Sequence, residues 1–86
     1  MWEVVLTKQA VKDLKKADAA GFGAKIDSLI ALLTVNPYQN PPPYEKLVGD
    51  LSGYYSRRIN IQHRLVYQVF EVEKKIKVIR LWSHYE

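Results

Sequence analysis

The spacing of apolar and polar positions predicts one strand, two helices and then three more strands. Residues 2–6 alternate with a period of two, which is typical of a short strand. After Thr7, which can cap a helix, apolar residues recur at helical spacing over residues 10–17 and again over residues 26–33. Two glycines between these segments interrupt the helical spacing, so we expect the two helices to form a hairpin.

The second half of the chain predicts a loop followed by an antiparallel meander. All four prolines lie in residues 37–43, where they fix φ and remove backbone donors, so this segment is neither helix nor central strand. Alternation over residues 54–59, 63–70 and 76–82 predicts three strands, with connections short enough for hairpins. The sequence therefore predicts a single α+β domain over residues 1–86. We expect the order β-α-α-β-β-β, with the helical hairpin packed on one face of an antiparallel sheet.

Composition limits the kinds of site that the chain can form. Its 86 residues are 48% hydrophobic and 26% charged, which is the balance of an ordinary small globular domain. The absence of cysteine excludes disulfides and thiolate zinc sites. The chain has neither an apolar run long enough to cross a bilayer nor the pattern of a signal peptide, so we expect a cytoplasmic protein without a membrane partner.

The net charge of +4 favours a polyanionic partner. All four arginines and both histidines lie in the C-terminal third, whereas the N-terminal half carries lysines. Arginine offers a planar fork that suits phosphate, while lysine is a flexible point charge. The candidates for chemistry therefore lie mainly in the second half of the chain.

Arg64 and Glu45 are the first two candidates. Arg64 lies in a predicted strand among apolar residues, where a cation is costly unless it faces a groove or an anion. It could instead pair with a carboxylate such as Glu71 or Glu73. Glu45 follows the proline-rich segment, so it is either a rigidly positioned base or an ordinary solvated glutamate. His63 fits the edge of a hairpin better than a catalytic role.

His84 and Tyr85 are two further candidates near the end of the chain. A chain end often frays, but the apolar residues just before this pair could dock it. A histidine can change charge near neutral pH, and a phenol can donate a hydrogen bond. Alternation along a strand sets two limits. Arg57 and Arg58 cannot both point to one face, and His84 and Tyr85 can serve one site only if the chain bends after Trp82.

An arginine, a carboxylate, a histidine and a tyrosine suit the cleavage of RNA without a metal ion. A base takes the proton from a 2′-OH, whose oxygen attacks the adjacent phosphorus, and an acid protonates the leaving 5′-oxygen. Arginine stabilises the negative charge that develops on the phosphorane. DNA lacks the internal nucleophile, and tyrosines could stack the bases of a single RNA strand. A purely binding module would need the phosphate contacts but no base.

Four motifs of the sequence resemble the YoeB/Txe branch of the RelE-like toxins of bacterial toxin–antitoxin systems. They are YEKL at 44–47, LSGYYSRRI at 51–59, HRLVY at 63–67 and SHY at 83–85. The resemblance implies a RelE-like fold and a ribosome-dependent endoribonuclease that cuts mRNA in the A site and so inhibits translation. The alternative is a non-catalytic module of the same fold that binds RNA or antitoxin, blocks translation or acts only as a co-repressor.

The same resemblance implies the roles of individual residues. It assigns the general base to Glu45, the transition-state arginine to Arg64, and the acid and positioning groups to His84 and Tyr85. Arg58 is implied as an additional phosphate contact. Further substrate contacts are expected from Arg57, Tyr54 and Lys46. No metal or other cofactor is expected.

The resemblance also implies the partners. They are a YefM/Axe-like antitoxin, whose C-terminal segment wraps the toxin, and a ribosome with mRNA in the A site. Operator DNA is expected to be contacted only through the antitoxin.

Overall fold

Two helices and five strands make up the domain. The computed structural model describes residues 1–47 and 53–83. The elements in chain order are β1 (Glu3–Leu6), α1 (Lys8–Ala19), α2 (Gly23–Val35), β2 (Tyr44–Lys46), β3 (Tyr54–Arg58), β4 (Arg64–Phe70) and β5 (Lys75–Ser83). The strands form one five-stranded sheet in the order β1-β5-β4-β3-β2. The predicted α+β class and the helical pair are confirmed.

The sheet differs from the prediction in two respects. The short strand β2 was expected as part of a loop, but it pairs antiparallel with β3 as soon as the proline-rich segment ends. β1 pairs parallel with β5, so the sheet is mixed and not purely antiparallel. Alternation along a strand indicates which residues share a face, but it does not indicate which strand is the neighbour.

Both helices cover one face of the sheet and form the core with it. The buried apolar residues from the helices are Ala10, Ala17, Ile26, Leu29 and Leu33, and those from the strands include Leu65, Tyr67, Ile76, Val78 and Leu81. Thr7 caps α1 as predicted, since its Oγ1 accepts a hydrogen bond from the Ala10 N–H at 3.0 Å. In the part of the chain that the structure describes, no helix is long and apolar enough to span a membrane; α1 has 12 residues and α2 has 13.

The strand β5 does not alternate regularly along its length. Ile76, Val78 and Leu81 are all fully buried, although strict alternation predicted that Leu81 faces away from the other two. The pairing with β4 shifts register twice, and each shift is a β-bulge or irregularity that changes the face of the following residues. At Trp82 the backbone has a positive φ of 57°. The bend after Trp82 that would bring His84 and Tyr85 to one site involves residues outside the described ranges, so it stays a prediction.

Asp13 of α1 holds the irregular part of β5 in place. This buried carboxylate accepts hydrogen bonds from the Leu81 N–H at 3.0 Å, from Arg80 Nε at 2.8 Å and from Gln9 Nε2 at 2.9 Å. Burial alone would raise the pKa of Asp13, but the hydrogen bonds from Arg80, Gln9 and Leu81 outweigh it and lower the pKa below its usual range. The contact fixes the direction of the last strand, which ends beside β4.

Candidate active site

The sheet face that points away from the helices carries the candidate active site. Glu45 on β2 lies opposite Ser56 on β3, and Arg58 on β3 lies opposite Arg64 on β4. Cross-strand partners project to the same face, and Ser56 and Arg58 are two residues apart on one strand. The strand register therefore brings Glu45, Ser56, Arg58 and Arg64 together on one face.

Glu45 and Arg64 are in direct contact. Arg64 Nη1 donates to Glu45 Oε1 at 3.0 Å, and the glutamate side chain is 63% exposed while the arginine side chain is 20% exposed. The contact excludes the alternative that Arg64 pairs with Glu71 or Glu73 in this structure. An exposed ion pair of this kind is worth only about 0–1 kcal/mol, so an anionic ligand can replace it.

These side chains line a cavity of about 230 Å³. Its lining residues are Pro43, Tyr44, Glu45, Ser56, Arg58 and Arg64. Two guanidinium groups and one carboxylate give the cavity a net positive charge, which favours an anion. A second cavity of about 390 Å³ shares Pro43 and Arg58 with the first and adds Lys25 from α2.

Arg57 does not join this site. It is 1% exposed and lies under the proline-rich segment, where it donates to the carbonyl oxygens of Pro37, Gln39 and Pro42 at 3.0, 2.9 and 2.8 Å. Its guanidinium carbon is 5.0 Å from the centre of the Tyr44 ring. Its Nη1 and Nη2 atoms are thus paired inside the protein, whereas its buried Nε has no partner among the described residues. Alternation places Arg57 on the other face of β3 from Arg58. The predicted phosphate contact of Arg57 stays a prediction. Its observed contact fixes the segment that leads into Glu45.

Comparison with protein families shows to which family the chain belongs. A family model described as the YoeB-like toxin of bacterial type II toxin–antitoxin systems matches residues 6–85. The chain belongs to this family.

Individual relatives agree with the family model. Toxin YoeB of Streptomyces coelicolor is 39% identical over 61 residues, which cover 71% of this chain and 70% of the relative. The YoeB/ParE toxin from Agrobacterium tumefaciens superposes with a TM-score of 0.86 at 33% identity, covering 96% of this chain and 99% of that one. The toxin of the heterotetrameric YoeB–YefM complex from Staphylococcus aureus has a TM-score of 0.80 at 34% identity and 99% coverage of both chains. The RelE-like fold predicted for this YoeB-like toxin is thereby confirmed.

The predicted acid groups of this YoeB-like toxin, His84 and Tyr85, lie outside the described residues. The backbone of Ser83, which precedes them, pairs with Arg64. The chain therefore reaches the strand position next to Arg64 before these two residues. Their participation in the site stays a prediction.

The indole of Trp82 anchors the end of β5. The ring of His63 stacks on it with centroids 3.8 Å apart and planes 2° apart, and the ring of Phe22, the residue just before α2, lies 5.2 Å away. His63 lies in the β3–β4 connection, where its N–H donates to Asn60 Oδ1 at 2.7 Å. The predicted hairpin position of His63 is confirmed.

Two further predicted substrate contacts of this YoeB-like toxin have different positions. Tyr54 pairs with Gln68 and shares the face of Ser56, so it lies beside the candidate site. Lys46 pairs with Tyr55, and this register places it on the opposite face from Glu45, at the exposed edge of the sheet. The strand geometry therefore groups Tyr54, but not Lys46, with Glu45 and Arg64.

Three tyrosines pack together around the proline-rich segment that precedes β2. The Tyr67 hydroxyl donates to the Pro37 carbonyl at 2.9 Å, and burial raises the pKa of Tyr67. Tyr38 donates to Glu71, and burial together with this acceptor raises the pKa of Tyr38. The Tyr55 ring lies 5.6 Å from Tyr67 and 5.7 Å from Tyr38. This packing holds the proline-rich segment against the sheet at its first residue, the fully buried Pro37.

The sequence analysis did not single out Ser56 or Asp13. Alternation along β3 was the available signal for Ser56, because it places this serine on the same face as Arg58. Asp13 occupies a core-facing position between Ala10 and Ala17 on α1, where a carboxylate requires partners. Within residues 1–47 and 53–83, no three His, Asp or Glu side chains come together as metal ligands.

Proposed function

We propose that this toxin is a ribosome-dependent endoribonuclease that cuts mRNA in the A site without a metal ion. The observation that carries the proposal is the contact of Glu45 with Arg64 at 3.0 Å, in a cavity that Arg58 also lines. A carboxylate beside two guanidinium groups supplies a base and the positive charge that phosphoryl transfer requires.

The reaction begins when the substrate phosphate replaces Glu45 as the partner of Arg64. The freed carboxylate takes the proton from the 2′-OH, and the 2′-oxygen forms a bond to the adjacent phosphorus. Arg64 and Arg58 stabilise the charge on the phosphorane. The bond to the 5′-oxygen breaks as His84 or Tyr85 donates a proton to it. The products carry a 2′,3′-cyclic phosphate and a 5′-OH.

The size of the cavity supports the ribosome as a partner, and the relatives support an antitoxin partner. A cavity of about 230 Å³ encloses only a small part of an RNA strand, so the ribosome is needed to present the mRNA. The S. aureus relative forms a complex with YefM. We infer a YefM-like antitoxin partner, contact with operator DNA only through that antitoxin, and a cytoplasmic location.

The decisive experiment measures cleavage of mRNA on purified ribosomes by primer extension. Glu45→Gln keeps the size of the side chain but removes the base, so we expect cleavage to fall by about 10²–10⁴-fold. Glu73→Gln is the matched control, because Glu73 is exposed in the β4–β5 turn. This variant should cut mRNA like the wild type. Toxin pretreated with EDTA should retain its activity, and naked mRNA should be cut poorly.

Two results would contradict the proposal. If the wild type stops translation without producing new 5′ ends, the protein is a binding module of the same fold. If Glu45→Gln cuts as fast as Glu73→Gln, Glu45 is not the base. A 2′-deoxy nucleotide at the cut site should abolish cleavage, and cleavage of that substrate would exclude attack by the 2′-OH.

A further inference from the structure

Ser56 has a buried hydroxyl without a hydrogen-bond partner among residues 1–47 and 53–83. The residue is 1% exposed. It lines the same cavity as Glu45, Arg58 and Arg64. Nearly all buried hydroxyl groups in proteins are paired, so an unpaired one within a charged cavity calls for a partner from outside.

The neighbouring side chains indicate the chemistry of that partner. Arg58 and Arg64 offer only donors, so they cannot accept the proton of the serine hydroxyl. Glu45 lies directly opposite Ser56 in the strand register, yet its carboxylate is paired with Arg64 and not with this hydroxyl. The cavity thus presents two guanidinium groups and one hydroxyl to a ligand with several acceptor oxygens, and a phosphodiester has such oxygens.

We infer that Ser56 Oγ donates a hydrogen bond to a non-bridging oxygen of the RNA phosphate that Arg58 and Arg64 bind. This inference rests on the proposed function and adds a phosphate-binding residue to it. The hydroxyl is shielded from water in the free protein. For the phosphate to reach the hydroxyl, side chains around the cavity must move, and the inference assigns this to the release of Arg64 from Glu45.

The inference predicts opposite effects on activity and on stability. Ser56→Ala removes a buried hydroxyl that has no hydrogen-bond partner in the described part of the chain, so the melting temperature should stay the same or rise. A hydrogen bond to a charged ligand is worth roughly a 10- to 100-fold change, so kcat/KM for ribosome-bound mRNA should fall by about that factor. Ser56→Thr keeps a hydroxyl and should retain more activity than Ser56→Ala.

The test compares wild type, Ser56→Ala, Ser56→Thr and the control Ser28→Ala, whose serine is exposed on α2. Cleavage is measured on mRNA with an oxygen or a sulfur at each non-bridging position of the cut site. Sulfur at one of the two non-bridging positions should slow cleavage by the wild type. It should slow cleavage by Ser56→Ala much less, because this variant already lacks the hydrogen bond from Ser56 Oγ. Binding of an RNA strand with a 2′-deoxy nucleotide at the cut site is measured separately.

The outcomes separate this inference from the proposed function. If the wild type cuts, and Ser56→Ala equals Ser28→Ala in cleavage and binding, the inference is wrong and the proposed function stands. A loss of activity that matches a lower melting temperature also overturns the inference, since the role is then structural. If the wild type does not cut but Ser56→Ala binds the 2′-deoxy strand more weakly, the inference stands and the proposed reaction does not.

Discussion

Replacing Asp13 by alanine removes the buried carboxylate that joins α1 to β5. The side chain is 1% exposed and accepts from the Leu81 N–H and from Arg80 Nε. Loss of the acceptor for the buried Leu81 N–H should cost about 1–3 kcal/mol. The Arg80 side chain is 36% exposed, so loss of its ion pair adds only about 1 kcal/mol. We therefore expect the free energy of unfolding to fall by about 2–4 kcal/mol.

The loss should be large relative to the total stability of a domain of this size, which is about 5–15 kcal/mol. Urea unfolding at pH 7, monitored by tryptophan fluorescence, measures this loss in the free energy of unfolding. In thermal unfolding, the melting temperature should fall by about 10–25 °C. Gln9→Ala is the matched control, because it removes an exposed donor to the same carboxylate and should cost less than about 0.5 kcal/mol. Equal stability of Asp13→Ala and Gln9→Ala would refute the reasoning.

The pH dependence gives a second check on Asp13. Burial opposes ionisation, but the hydrogen bonds from Arg80, Gln9 and Leu81 lower the pKa in the folded state. The ionised group therefore stabilises the fold fully above the pKa of the unfolded chain, near 3.9, and this contribution is lost as the pH falls through the folded pKa. The difference between wild type and Asp13→Ala should be largest near neutral pH and should shrink below about pH 4. A difference that grows on acidification would contradict this assignment.

Two further predictions concern the support of the proline-rich segment. Arg57→Lys keeps the charge but cannot donate to all three carbonyls with the same geometry. We therefore expect the free energy of unfolding in urea to fall by about 2 kcal/mol and mRNA cleavage to be slower. Wild-type stability of Arg57→Lys would contradict this structural role. The raised pKa of Tyr67 stabilises the fold below the unfolded pKa of about 10, and this contribution is lost as the pH rises through the folded pKa. The free energy of unfolding of Tyr67→Phe should therefore fall less steeply than that of the wild type as the pH rises above about 10. The same alkaline pH dependence in both proteins would contradict this.

Local patterns in the sequence determined the elements and much of the candidate site. The period of two and the helical spacing gave both helices and four of the five strands, and Thr7 marked the start of α1, because these signals depend on neighbours along the chain. The motifs around Glu45, Arg64 and Arg58 indicated the family, and these three residues do line one cavity. The stretch that forms β2 was missed because three residues after a run of prolines are too few for a periodic signal.

Only the tertiary structure decided which of these residues meet. The parallel pairing of β1 with β5 and the contact of Asp13 with Leu81, 68 positions apart, depend on long-range packing that no local period encodes. Alternation allowed either Arg57 or Arg58 on the face of Glu45 and Arg64, and the structure places Arg58 there while Arg57 donates to three carbonyl oxygens on the other face. Ser56 became a candidate only because its buried hydroxyl has no partner among the residues that the structure describes, and whether a side chain has a partner depends on its neighbours in the fold.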